Sequence, residues 1–168
     1  MVEMERIEKI LSDPQYRFYC EKNQKWEQSR VFCKHDMEHF WQTARVAYIL
    51  YLESKDEDDK LPGGKVKEML YAAALLHDIG RFKEYEDKTL DHASESAILA
   101  RPLLDSAGFC SEEIAQILEA IKNHREPGHS GLSRLIYQAD KESRPCCTCP
   151  VLDDCKKFSA TKRPQVRY

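Results

Sequence analysis

The run from Leu70 to Leu76 is wholly apolar, centred on Ala72, Ala73 and Ala74, and it ends on His77 and Asp78 within "LLHDIGRF". A helix that is apolar on every face belongs inside a protein. An imidazole and a carboxylate at its end are then costly unless a hydrogen bond, an ion pair or a metal ion meets them. The rest of the chain must therefore supply a helical surround and a partner for this doublet.

The surround reads as helices. Val2 to Leu11 carries apolar residues at Val2, Ile7, Ile10 and Leu11, and the Ser12-Asp13-Pro14 run stops it. Gln15 to Ser29 is a weaker helix. Asp36 caps a long helix running to about Glu53, with Phe40, Ala44, Ala47, Leu50 and Tyr51 on one stripe. An acidic linker, "ESKDEDDKLPGG", precedes the core helix, Lys65 to Asp78. Asp91 or Ser94 starts another helix that ends near Gly108, a residue suited to the position past a helix end. Ser111 caps the next, with Glu112 and Glu113 in its first turn, and it runs to about His124. Leu132 to Glu142 is the last. No alternating strand pattern or repeat interrupts the series, so the expected class is all-α.

At 168 residues the chain has the length of one domain with a single core. We expect a helical domain over 1–144 and a short extension over 145–168. No apolar run reaches the roughly 20 residues a membrane span needs, and the charged N-terminal helix has no signal-peptide core. A cytoplasmic location without a membrane partner is expected. The net charge of −3 gives no general attraction to nucleic acid. Seven cysteines in a reducing compartment point to thiols or metal ligands, with disulfides disfavoured.

All six histidines lie between positions 35 and 129. His77 and His124 sit at helix ends, His92 at a helix start, and His39 in the first turn of its helix, one turn after His35. Asp140 closes the apolar series Leu132, Leu135, Ile136 and Ala139, so its carboxylate faces inward and needs a cation. Mixed His and Asp ligands suit divalent Fe, Mn, Co, Ni or Zn. His77 and Asp78 can serve one centre because neighbours at a helix end diverge by about 100°. Any single histidine here is ordinary; the combination is not.

These residues carry a family resemblance. The order His39, then His77-Asp78, then Asp140 resembles the HD superfamily of metal-dependent phosphohydrolases over roughly 33–144. "HDMEHFWQTARVA" is similar to its first-ligand helix, "AALLHDIGRF" to its doublet and "LIYQADKESR" to its final-ligand helix. The resemblance to the subgroup with two metals implies two further ligands, His92 and His124. It thus implies a first ion on His39, His77, Asp78 and Asp140, and a second on Asp78, His92 and His124, with Asp78 bridging. His35 competes with His39, which is favoured because a core stripe runs beside it; His129 is a bystander or at most a substrate contact. The implied activity is hydrolysis of a small phosphorylated molecule, a nucleotide first, by metal-activated water. Asp78 and Arg81 are the catalytic candidates, with Arg81 as a phosphate ligand or a surface residue and Arg125 as a weaker substitute. Two alternatives remain open: a di-iron oxygenase on the same scaffold, and a non-catalytic metal or nucleotide sensor. The oligomeric state is not legible.

The extension holds "CCTCPVLDDC". Cys146 and Cys149 have the spacing of half a zinc site. Cys155 adds a third ligand and Cys33 a fourth, because the last helix must return near the first ligand to bring Asp140 beside His39. Cys147 is spare or replaces Cys146. An iron–sulfur cluster and a set of free thiols are the other readings. The basic end is first a solvated tail.

Overall fold

The computed structural model describes residues 4–54, 66–158 and 163–168. Among them are eight α-helices and no strand: α1 Glu5–Ser12, α2 Pro14–Glu27, α3 Met37–Glu53, α4 Val66–Leu76, α5 Arg81–Glu86, α6 His92–Ala107, α7 Ser111–Asn123 and α8 Gly131–Glu142. The expected all-α class holds. Among the described residues no helix is long and apolar enough to cross a membrane. Val2, Lys65 and most of the acidic linker lie outside the described residues.

Helix α4 is the axis of the fold. Every residue of it except Lys67 is buried, and α3, α7, α8, α6 and α1 pack around it. Three successive alanines let the neighbouring helices approach closely. The one charged side chain buried with α4, Glu68, meets Arg6 of α1 at 2.8 Å, and Arg6 also reaches Glu113 of α7 at 2.6 Å. That ion network ties three helices, and Arg6 further covers the Phe109 ring at 3.9 Å.

Local signals set most boundaries. Asp36 accepts from the His39 backbone N–H, which fixes the first turn of α3. Asp91, rather than Ser94, caps α6 by accepting from the Ser94 backbone. Gly108 ends α6 with φ +90, in the left-handed region open to glycine. One expectation moves by a residue: Cys110 is the N-cap of α7 and Ser111 its first residue, because the Glu113 side chain reaches back to the Cys110 N–H at 2.9 Å.

The core helix is shorter than expected. It ends at Leu76, and His77 to Gly80 form a turn. Side chains from distant helices take over the backbone bonding there. Asn23 of α2 donates to the Asp78 carbonyl at 2.9 Å and accepts from the Phe82 N–H at 2.7 Å, while Ser96 of α6 accepts from the Gly80 N–H at 2.9 Å. The six-residue helix α5 follows. Residues 145–158 hold two 3-10 turns, Cys146–Thr148 and Leu152–Asp154, neither with a buried side chain.

Candidate metal centre

The turn at the end of α4 points the His77 and Asp78 side chains into one buried chamber. His77 is 0% exposed and Asp78 1%. His39 from α3, His92 from α6, His124 at the end of α7 and Asp140 from α8 converge on the same place, all buried. Their ligand atoms fall into groups within 4.8 Å of one another: His39, His77 and Asp140 in one, Asp78, His92 and His124 in another, and His35, His39 and Asp78 in a third. All six residues expected from the sequence are thus together.

Asp78 joins the groups. Its Oδ2 lies 3.4 Å from His77 Nε2, and its Oδ1 lies 3.2 Å from His92 Nε2 and 3.4 Å from His124 Nε2. Asp140 Oδ1 lies 3.0 Å from His39 Nε2 and 3.9 Å from His77 Nε2. Yet His39 Nε2, His77 Nε2 and Asp78 Oδ1 have no acceptable hydrogen bond, although all three are buried. Orphaned polar atoms of both donor types in one chamber are the pattern a divalent cation satisfies. The residues present fit such an ion.

The other face of each imidazole is held. His77 Nδ1 and His124 Nδ1 each lie 2.6 Å from the carbonyl three residues back, of Ala74 and Ile121. His92 Nδ1 bonds the Glu84 carboxylate, and Ser143 Oγ stands 3.5 Å from His39 Nδ1. An acceptor on Nδ1 keeps the proton there and leaves Nε2 free to ligate.

Electrostatics follow from burial and pairing. Burial pushes the Asp78 carboxyl up, but the charges of His77, His35 and Arg81 outweigh it and hold the group well below the usual carboxylate range. Asp140 is likewise held down, against burial, by His39 and Arg144. Burial lowers His39 and His124, favouring the neutral, ligating imidazole. Burial also drives His35 down to about 2, against the pull of Asp78.

Arg81 is not a surface residue. Its side chain is 13% exposed, with an NH1 nitrogen 3.5 Å from Asp78 Oδ1 and 3.2 Å from His92 Nε2. Arg125 is different: its side chain is 54% exposed and paired with Asp91. His129 lies outside all three groups, half-buried beside Asn123. Lys141 bonds the Asp140 carboxylate.

Several residues of the chamber's wall were not anticipated from the sequence. Glu27 is 2% exposed; it accepts from Tyr85 OH at 2.6 Å and the His35 N–H at 2.9 Å, and stands 3.7 Å from Arg81 Nε. It sits on α2, a helix too weakly amphipathic to mark an inward carboxylate. Arg144 donates to Asp140 Oδ1 at 2.8 Å, and its NH2 lies 3.1 Å from His35 Nε2. Its spacing of four from Asp140 was a usable signal.

His35 is also buried, 3.7 Å from Asp78 Oδ2, so geometry alone leaves it a competitor of His39. The neighbours favour His39. His35 Nε2 already has the Arg144 guanidinium, which donates, whereas His39 Nε2, 3.0 Å from Asp140 Oδ1, stands with a carboxylate oxygen and makes no hydrogen bond, the pairing of two ligand atoms around a cation. His39→Ala should therefore lose metal, and His35→Ala should keep the metal content of the unaltered protein, as counted by elemental analysis. The reverse order would exchange the two residues.

The cysteines are less closely gathered. Among the described residues no three cysteine sulfurs lie within 4.8 Å of one another.

The HD-domain family model matches residues 36–145 of the chain. An uncharacterized protein of Clostridium beijerinckii (strain ATCC 51743 / NCIMB 8052) is 35% identical over 165 residues, covering 98% of this chain and 100% of that protein. No solved structure matches.

Proposed function

The chain belongs to the HD-domain family, a superfamily of mostly metal-dependent phosphohydrolases, and from that premise we propose that it hydrolyses a small phosphorylated molecule, a nucleotide by preference, with divalent metal. The observation that carries the reading is the convergence of His39 Nε2, His77 Nε2 and Asp78 Oδ1, buried and without hydrogen-bond partners.

His39, His77, Asp140 and one oxygen of Asp78 would hold one ion. His92, His124 and the other Asp78 oxygen would hold a second. Bound there, divalent ions supply a water of lowered pKa and screen the charge of phosphate oxygens. The chain's own contributions are positional. Arg81 presents a planar guanidinium beside the Asp78 and His92 ligand atoms, where it can bind a phosphate bidentately. Glu27 and Tyr85 keep that guanidinium in place; Tyr85 OH lies 3.4 Å from its NH2. Glu84 and Ser143 orient two of the imidazoles. His35 Nε2 accepts from the Arg144 guanidinium at 3.1 Å and so supports Arg144.

The test is metal analysis of protein purified without chelator, followed by a phosphate-release screen over nucleotides. The expected result is bound metal and turnover that needs it. Because the ion sets the acidity of its water, the apparent pKa of the rate should move between Mn, Co and Zn forms. A pKa unchanged by metal would point to a protein group. No bound metal and no metal-dependent turnover would overturn the proposal. Oxygen consumption by the iron form without phosphate release would transfer the site to oxygenase chemistry.

A further inference from the structure

We propose that Trp26, Arg30 and Lys88 form an outer subsite of the chamber, where the base and the outer phosphates of a nucleoside polyphosphate bind. It rests on the hydrolase reading for its inner end, the phosphate at Arg81. A line of side chains leads from there to the surface. Arg81 has its NH1 nitrogen 3.5 Å from Asp78 Oδ1, and its NH2 nitrogen donates to Tyr85 OH at 3.4 Å. The Trp26 ring of α2 stacks on the Tyr85 ring of α5, with centroids 5.6 Å apart and planes 26° from parallel. Trp26 is nevertheless 44% exposed. The indole thus stands two side chains out from the guanidinium beside the candidate ligands.

The stacked pair is braced. Tyr85 OH donates to Glu27 at 2.6 Å and accepts from Arg30 at 2.8 Å as well as from Arg81. Arg30 is itself held, its Nε donating to the Phe32 carbonyl at 2.7 Å. A single exposed apolar residue is ordinary on a protein surface. This one leans on the tyrosine that holds Arg81, so a planar ring can stack on it with little further loss of side-chain freedom. Every base has a π-face suited to such a platform.

Charge accounts for the phosphates. Arg30 and Arg81 donate to the same hydroxyl, so two guanidinium groups stand side by side. Glu27 lies between them, 3.8 Å from Arg30 Nε and 3.7 Å from Arg81 Nε. Lys88 adds a third cation, its ammonium 4.8 Å from the Tyr85 ring centroid. The acids of the same segment, Glu84, Glu86 and Asp87, are engaged by His92, Lys22 and Thr89. Asp78 faces the histidines as well as Arg81. Three cations against Glu27 leave positive charge that one phosphate at Arg81 does not cover. A chain of phosphates running outward from Arg81 does, and it ends beside the exposed indole.

The test reads binding and so does not depend on turnover. Trp41→Phe leaves Trp26 as the single tryptophan. Protein carrying that change, purified without chelator, is titrated with adenosine 5′-(β,γ-imido)triphosphate, and saturable quenching of the Trp26 fluorescence is expected. Calorimetry should give binding about 10-fold weaker for tripolyphosphate, which has no ring, and for AMP, which has one phosphate. Trp26→Ala should weaken the imido analogue about 10-fold and leave tripolyphosphate as it was, and Trp26→Phe should recover part of the loss. Arg30→Ala should weaken both ligands. If Trp26→Ala does not fold, quenching of the lone Trp26 decides. Bound analogue without quenching, equal affinity in Trp26→Ala, or no nucleotide bound at all would overturn the proposal. Binding with these signatures but no turnover would uphold it and sink the hydrolase reading. Metal-dependent phosphate release from nucleotides with a KM indifferent to Trp26→Ala would do the reverse.

Discussion

Asp78→Ala should abolish metal-dependent turnover and strip the metal from the His39/His77/Asp140 and Asp78/His92/His124 groups alike. The Asp78 carboxylate has one oxygen toward His77 and the other toward His92 and His124. Its loss removes the one carboxylate that faces both His77 and the His92–His124 pair, and leaves Arg81 without the carboxylate 3.5 Å from its NH1. A fall of at least about 1,000-fold in rate, near 4 kcal/mol of transition-state stabilisation, is expected. The fold should survive, because Asn23 bonds the Asp78 backbone carbonyl and not its side chain. His92→Ala, by contrast, should empty mainly the second group. Elemental analysis with circular dichroism separates these outcomes, and an unchanged metal count in both variants would sink the six-ligand assignment.

Gly80→Ala should destabilise the protein by about 3 kcal/mol, the upper end of overpacking costs. The backbone at Gly80, φ −89 and ψ 1, suits alanine, so conformation is not the obstacle. Space is. A Cβ there would stand 2.5 Å from the Ser96 backbone nitrogen and 2.8 Å from the Glu95 carbonyl carbon. Both are main-chain atoms of α6, which cannot rotate away as a side chain could. The doublet's turn must then separate from α6, breaking the bond from the Gly80 N–H to Ser96 Oγ and moving Asp78 off His92 at the start of the same helix. Chemical denaturation should show a lower midpoint, and metal affinity should fall with it. A midpoint equal to wild type would mean that α6 yields without cost.

The Gly80 contact shows where reading the sequence stops. Helix periods, the Asp36 and Asp91 caps and Gly108 are local features, set within a few residues of chain, and they gave the class and the order of every helix but α5. The ligand candidates were legible for a related reason. His77 and Asp140 each close an apolar stripe and His39 opens one, so the direction of the stripe aims the polar group inward. The resemblance of "AALLHDIGRF" supplied the rest.

What the sequence could not supply depends on contacts far apart in the chain. Helix α4 stops at Leu76 because Asn23 and Ser96, from α2 and α6, take the backbone groups that another helical turn would have used. Glu27 becomes part of the chamber only when α2 packs beside α5, and no local pattern marks its carboxylate as buried. Whether His35 lies within or outside the cluster was undecided until the segment before α3 was placed over Asp78. The sequence by itself determined an all-α chain with inward-facing His and Asp side chains at its helix ends. Tertiary packing decided which atoms of those side chains meet, because convergence within a few ångströms is set by helix-to-helix placement and not by local propensity.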